Sequence, residues 1–106
     1  MPGKLLVFEG VEGCGKSTQL QVLHAALLQS RDLQRLQRQG LIPHILVTRE
    51  PGGTELGLGL RQLLLGDRGE VAIASRAELL LYAADRAQHI EEVIRPALAA
   101  GSWVLC

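Results

Sequence analysis

A chain of 106 residues with 47% hydrophobic content is long enough for one domain with a genuine core. Eleven basic residues balance eleven acidic ones and only three residues are aromatic, which excludes the basic field and stacking platform of a nucleic-acid binder. No apolar stretch is long enough to span a bilayer, no signal peptide opens the chain, and two cysteines make no disulfide framework, so a soluble, cytoplasmic protein is expected.

The first element is a short buried strand, Lys4-Leu5-Leu6-Val7-Phe8, and it runs into Glu9-Gly10-Val11-Glu12-Gly13-Cys14-Gly15-Lys16-Ser17-Thr18-Gln19. Gly10, Gly15, Lys16 and Ser17 fall at the spacing G-x-x-x-x-G-K-[ST] of a phosphate-binding loop. Glycines open backbone conformations in which successive N–H groups turn inward toward phosphate oxygens. Lys16 would reach the β- and γ-phosphates and the Ser17 hydroxyl would ligate Mg²⁺. The helix that follows points its positive end at the same anion. Its stripe Leu20, Leu23, Leu27 and Leu28 completes the order strand, glycine loop, helix. The rival is a glycine-rich turn with a surface lysine. The dinucleotide fingerprint G-x-G-x-x-G fails, because Thr18 stands three residues after Gly15.

The helix is expected from Lys16 to Ser30, with a continuation to Gln39 before a stop at Gly40. The polar segment Arg31–Gln39, with Leu33 and Leu36 three apart, reads as an exposed helical extension whose rival is a flexible loop. Its arginines are diluted by Asp32 and glutamines, the pattern of a solvated face. His44-Ile45-Leu46-Val47-Thr48 is a second strand, and a helical crossover makes it a parallel partner of the first. Ligands collect at the carboxyl ends of such strands, so the loop after Thr48 is expected beside the phosphate loop.

That loop is Arg49-Glu50-Pro51-Gly52-Gly53-Thr54. Arg49 offers a planar fork for a phosphate, and Pro51-Gly52-Gly53 demands a tight turn. A purely structural turn with an exposed arginine is the alternative. A helix from Glu55 to Leu65, carrying Arg61, comes next, and Gly66-Asp67-Arg68-Gly69-Glu70 makes a turn. Ser75 with Glu78 reads as a capping box opening a long helix, which Pro96 kinks or restarts and Gly101 ends. Tyr82 and Arg86 lie four apart on one face of it, where a half-buried tyrosine covered by an arginine stem is the structural alternative. Trp103-Val104-Leu105-Cys106 begins a third strand. Neither an Asp-x-x-Gly switch nor an Asn-Lys-x-Asp guanine reader is present, which counts against a GTPase.

Three stretches together resemble the thymidylate kinase family: Phe8–Gln19, Thr48–Thr54 and Leu79–Arg86. The resemblance covers the whole sequence except the Arg31–Leu41 insertion. It implies an α/β fold, a three-layer parallel sheet of the P-loop nucleoside monophosphate kinase type, and transfer of the γ-phosphoryl of ATP to dTMP. It further implies that the loop residues Gly10, Val11, Glu12, Gly13, Cys14, Gly15, Lys16, Ser17 and Thr18 hold ATP, with Ser17 on Mg²⁺. Glu12 would accept from the 3′-hydroxyl of the acceptor sugar. Arg49 would neutralise the acceptor phosphate, acting with Lys16 in catalysis. Tyr82 would stack on thymine, Arg86 would donate to a base carbonyl, and Arg61 would line the same pocket. Homodimerisation is implied as well.

Gly13 stands where one subgroup carries a catalytic arginine, so the chain resembles the bacterial type, whose arginine comes from a lid. In the family the third strand leads into an Asp-Arg motif, the lid and adenine contacts, and the sequence ends at Cys106, before them. Residues 1–106 are accordingly expected to be the N-terminal part of one kinase domain, inactive alone. The alternatives are a non-catalytic nucleotide-binding fragment and a P-loop kinase with a different small acceptor.

Overall fold

The structure, a computed structural model, describes residues 3–10, 13–66, 69 and 71–106. The chain gathers into two compact units: one runs up to Thr48 and resumes at Pro96, and the other is Arg49–Arg95.

The first unit holds a three-stranded parallel sheet of β1 (Lys4–Leu6), β2 (Ile45–Val47) and β3 (Trp103–Leu105) in the order β1-β3-β2. In register, Lys4 and Ile45 both pair with Trp103, and Leu6 and Val47 both pair with Leu105. The ladder runs slightly past the strand ends, since Phe8 N donates to Cys106 O at 2.8 Å and Thr48 N to Leu105 O at 2.9 Å. The first two strands were expected to pair with each other. Instead β3 lies between them and, among the described residues, has a strand neighbour on both sides. Val104 and Leu105 are completely buried, as apolar residues of a central parallel strand should be.

Helix α1 (Lys16–Gln29) follows the glycine loop. Leu20, Leu23 and Leu27 are half-buried, whereas Leu28 is exposed. The single helix expected to continue to Gln39 is in fact two, because Ser30 adopts an extended backbone and caps α2 (Arg31–Arg38). Its hydroxyl accepts from Leu33 N at 3.3 Å, and Gln34 Nε2 donates back to Leu28 O at 2.8 Å. A serine N-cap thus stabilises a corner where the apolar pattern alone suggested continuity. Leu33 is buried and the arginines of α2 are exposed, so the extension is an amphipathic surface helix. It ends at Gly40 with Gly40 N bonded to Gln37 O and Leu41 N to Leu36 O, the paired bonds of a Schellman stop.

The second unit is built on α3 (Glu55–Leu65) and α4 (Ser75–His89). Helix α3 has the expected bounds, with Thr54 as N-cap accepting from Gly57 N at 2.8 Å. The capping box at Ser75 is not formed: Ala74 is the N-cap, no side chain caps the helix, and Ser75 is already helical. A wide turn with i→i+5 bonding, Ile90–Ile94, then joins α4 to α5 (Arg95–Ala99). Pro96 has no N–H, and its ring crowds the carbonyl four residues earlier; widening the turn before it accommodates both. No helix among the described residues is long and apolar enough to cross a membrane.

Candidate functional site

The sequence-predicted site residues fall into two sets, one in each unit. In the first, Gly13 and Gly15 take φ of 81° and 92°, the left-handed region that lets the loop turn its amides toward one side. Gly15 is the N-cap of α1 and no side chain caps the helix. Among the described residues no side chain caps the first-turn N–H groups, the arrangement in which a helix start takes up an anion. Lys16 Nζ donates to Gly10 O at 3.0 Å, closing the loop on itself. Cys14, Lys16, Ser17 and Thr18 are all exposed, so an incoming phosphate or a cation at the Ser17 hydroxyl needs no opening of a core. The donor set fits a polyphosphate with a hard cation. Val11 and Glu12, also expected in this set, lie outside the described residues.

The second set surrounds the Arg49–Thr54 turn, where Glu50–Pro51 is cis and Gly52 has φ 106°. A Cβ on Gly52 would lie 3.0 Å from Arg61 Cδ and 3.5 Å from Arg49 Nε, so the two predicted arginines flank the same glycine. Arg61 Nη1 donates to Pro51 O at 2.9 Å, tying α3 to the turn. From α4, Asp85, which is 1% exposed, accepts from Gly52 N at 3.0 Å. Glu50 reaches the same helix with both carboxylate oxygens: Arg86 Nε donates to Oε1 at 2.8 Å, and His89 Nδ1 lies 2.7 Å from Oε2. The helix approaches closely because Gly53 has no side chain; a Cβ there would come within 2.6 Å of the His89 ring and 2.7 Å of Arg49 O.

Burial opposes ionisation of Glu50, but hydrogen bonds from His89 and Arg86, together with their positive charge, hold its carboxyl below the ordinary value. An ionised carboxylate only accepts, so His89 Nδ1 carries the proton between them. Tyr82 is 37% exposed one turn before Arg86, leaving part of its ring open to a partner. The Arg86 head group is drawn to Glu50, an interaction absent from the simple picture of an arginine stem covering a tyrosine.

Glu50, Asp85 and His89 carry this architecture, and sequence reasoning gave none of them a role. A signal existed for two. Asp85 and His89 are four apart, a polar pair recurring at helical spacing within an apolar stripe, which is the mark of buried polar groups with partners elsewhere.

A sequence model of the family described as Thymidylate kinase matches residues 8–106. A thymidylate kinase of Synechococcus sp. (strain RCC307) is 55% identical over 108 residues, covering 99% of this chain and 47% of that relative. One from Nostoc punctiforme is 53% identical, covering all of this chain and 45% of the relative. The crystal structure of thymidylate kinase from Ehrlichia chaffeensis superposes with a TM-score of 0.77 at 32% identity, covering 100% of this chain and 53% of that one. The chain spans about half the length of the curated relatives it matches. The expected α/β fold of the P-loop nucleoside monophosphate kinases is thereby found. With nearly every residue inside the family match, the chain belongs to the thymidylate kinase family.

Proposed function

We propose that the protein to which these residues belong transfers the γ-phosphoryl group of ATP to dTMP, giving dTDP and ADP, and that residues 1–106 form the N-terminal part of its single kinase domain. The observation that carries the reading is the turn at Arg49–Thr54. Two arginines flank Gly52 there, and the same turn is tied to the helix bearing Tyr82 and Arg86. A nucleoside monophosphate needs these two kinds of contact, cationic forks for the phosphate and a flat face with a donor for the base.

In this reading Lys16 and the amides of Gly10, Val11, Glu12, Gly13, Cys14, Gly15 and Thr18 hold the ATP phosphates. Ser17 holds Mg²⁺, which when bound neutralises charge on the β- and γ-phosphates. Arg49 holds the phosphate of dTMP so that one of its oxygens can attack the γ-phosphorus in line as the bond to the β–γ bridging oxygen breaks. Glu12 accepts from the sugar 3′-hydroxyl, Tyr82 stacks on thymine, Arg86 donates to a thymine carbonyl, and Arg61 lines the base and phosphate pocket. Alignment and charge neutralisation account for most of the catalysis such a site can supply. Homodimerisation and a cytoplasmic location belong to the same proposal and rest on family membership.

The test is a coupled ADP-release assay with ATP, Mg²⁺ and dTMP, run on the 106-residue chain and on the complete product of its gene. Turnover by the complete product that depends on dTMP is the expected result, and dTMP-independent or absent ADP release overturns it. Arg86→Ala is expected to raise the KM for dTMP by roughly tenfold or more, the worth of one lost charge-assisted hydrogen bond, with the KM for ATP nearly unchanged. An equal loss for both substrates would contradict the assignment of Arg86 to the acceptor.

A further inference from the structure

We infer that Glu50 is a positioning residue for the acceptor site, a carboxylate bridge that fixes the guanidinium plane of Arg86 and is itself fixed by His89. The inference rests on the reading above for what Arg86 contacts, and on the geometry alone for how Arg86 is held.

Arg86 is 64% exposed in its side chain, a setting in which an arginine ordinarily samples many rotamers and contributes little as an ion pair. Its partner differs: the Glu50 side chain is only 16% exposed, and His89 behind it is completely buried. The three therefore form a graded series from solvent to interior. A rigid ring anchors Oε2, the carboxylate plane is set by that bond, and Oε1 then presents a directed acceptor to Arg86 Nε at 2.8 Å. Engaging Nε orients the guanidinium differently from a pair made through its terminal nitrogens. It fixes the direction of the stem and the plane of the fork together.

The backbone supports the same end. Glu50 precedes Pro51, whose carbonyl is held by Arg61, and Gly52 N is held by Asp85. Glu50 thus projects from a turn pinned on both α3 and α4. The buried anchor lies one helical turn beyond Arg86 on the same helix, so one carboxylate spans two consecutive turns of α4 and sets Arg86 relative to its own helix.

Glutamine is the informative replacement. Glu50→Gln keeps shape but removes the charge, and its amide N–H₂ must face one of the two donors, Arg86 Nε–H or His89 Nδ1–H. We test the inference in the complete gene product with wild type, Glu50→Gln, Arg86→Ala and the double variant, measuring KM for dTMP and for ATP, kcat and the thermal midpoint. The expected result is a roughly tenfold rise in dTMP KM for Glu50→Gln, with ATP KM and kcat within about twofold of wild type, and no further rise when Glu50→Gln is added to Arg86→Ala. An equal rise in the Arg86→Ala background overturns the inference, because Glu50 would then act independently of Arg86.

A second measurement separates this inference from the functional reading and needs no variant to fold. In the wild-type NMR spectrum the Arg86 Nε–H should be resolved downfield and exchange slowly with water. A rapidly exchanging, random-coil resonance overturns the bridge whatever the substrate is. If the resonance is protected but Arg86→Ala leaves the dTMP KM unchanged, the bridge stands and the assignment of Arg86 to the base falls.

Discussion

At the scale of single residues, Glu50 is subject to opposing influences. Burial is the larger and favours its neutral form, yet the bonds and charges of His89 and Arg86 together outweigh it and lower its pKa beneath the ordinary 4.5. A folded-state pKa below the unfolded one means that the ionised carboxylate adds stability at pH above about 4.5, and that this contribution is lost as pH falls through the lower folded value. The urea unfolding free energy of wild type minus that of Glu50→Gln should be constant from pH 7 down to about 4.5 and shrink below it. A difference that does not change with acidification would mean that Glu50 is not ionised in the folded protein. The same residue shows where sequence reading stops. Arg49 could be singled out because its planar fork suits a phosphate, and Tyr82 and Arg86 because the stretch Leu79–Arg86 resembles the family. Glu50 and Asp85 serve other residues, and their partners stand 33 to 39 positions away along the chain. No local pattern records such pairings.

At the scale of elements, helix ends decided which expectations held. Helix α3 was legible to its last residue: Thr54 caps its start through its hydroxyl, and Gly66 ends it in extended backbone with φ −87°. Ser75 and Glu78 have the residue types of a capping box, but the box requires the serine outside the helix. Glu78 N already bonds Ala74 O, which places Ser75 one residue inside. Ser30 is the converse case, a cap hidden in a pattern that reads as continuous helix, and its only sequence sign is Asp32 in the following turn. Ser30→Ala should therefore cost about 1 kcal/mol in urea unfolding, and the Leu33 amide, whose bond to the hydroxyl it removes, should exchange faster than in wild type. Unchanged exchange at Leu33 would mean that Ser30 does not define the corner.

At the scale of the whole molecule, the number and direction of the strands were readable, but their order was not. Adjacency of β1 and β2 was inferred from the crossover between them, and only the position of β3 could show that they are separated. Among the described residues, β1 and β2 each leave one edge without a strand, and Leu5 and Val47 on them are 43% and 42% exposed. Unpaired apolar edges invite pairing with another chain. The isolated 106-residue chain should self-associate with rising concentration in sedimentation velocity, and Leu5→Lys with Val47→Lys should reduce it; association unaffected by these charges would locate the contact elsewhere. The middle position of β3 also orders events in time. Among the described residues β1 and β2 each pair with β3, and Lys4 must wait for Trp103, far along the sequence. Closing loops of that length delays a fold, whereas α3 and α4 pack within one continuous segment. On a chain emerging from the ribosome, the helical unit Arg49–Arg95 can assemble before Trp103 has appeared to join β1 to β2.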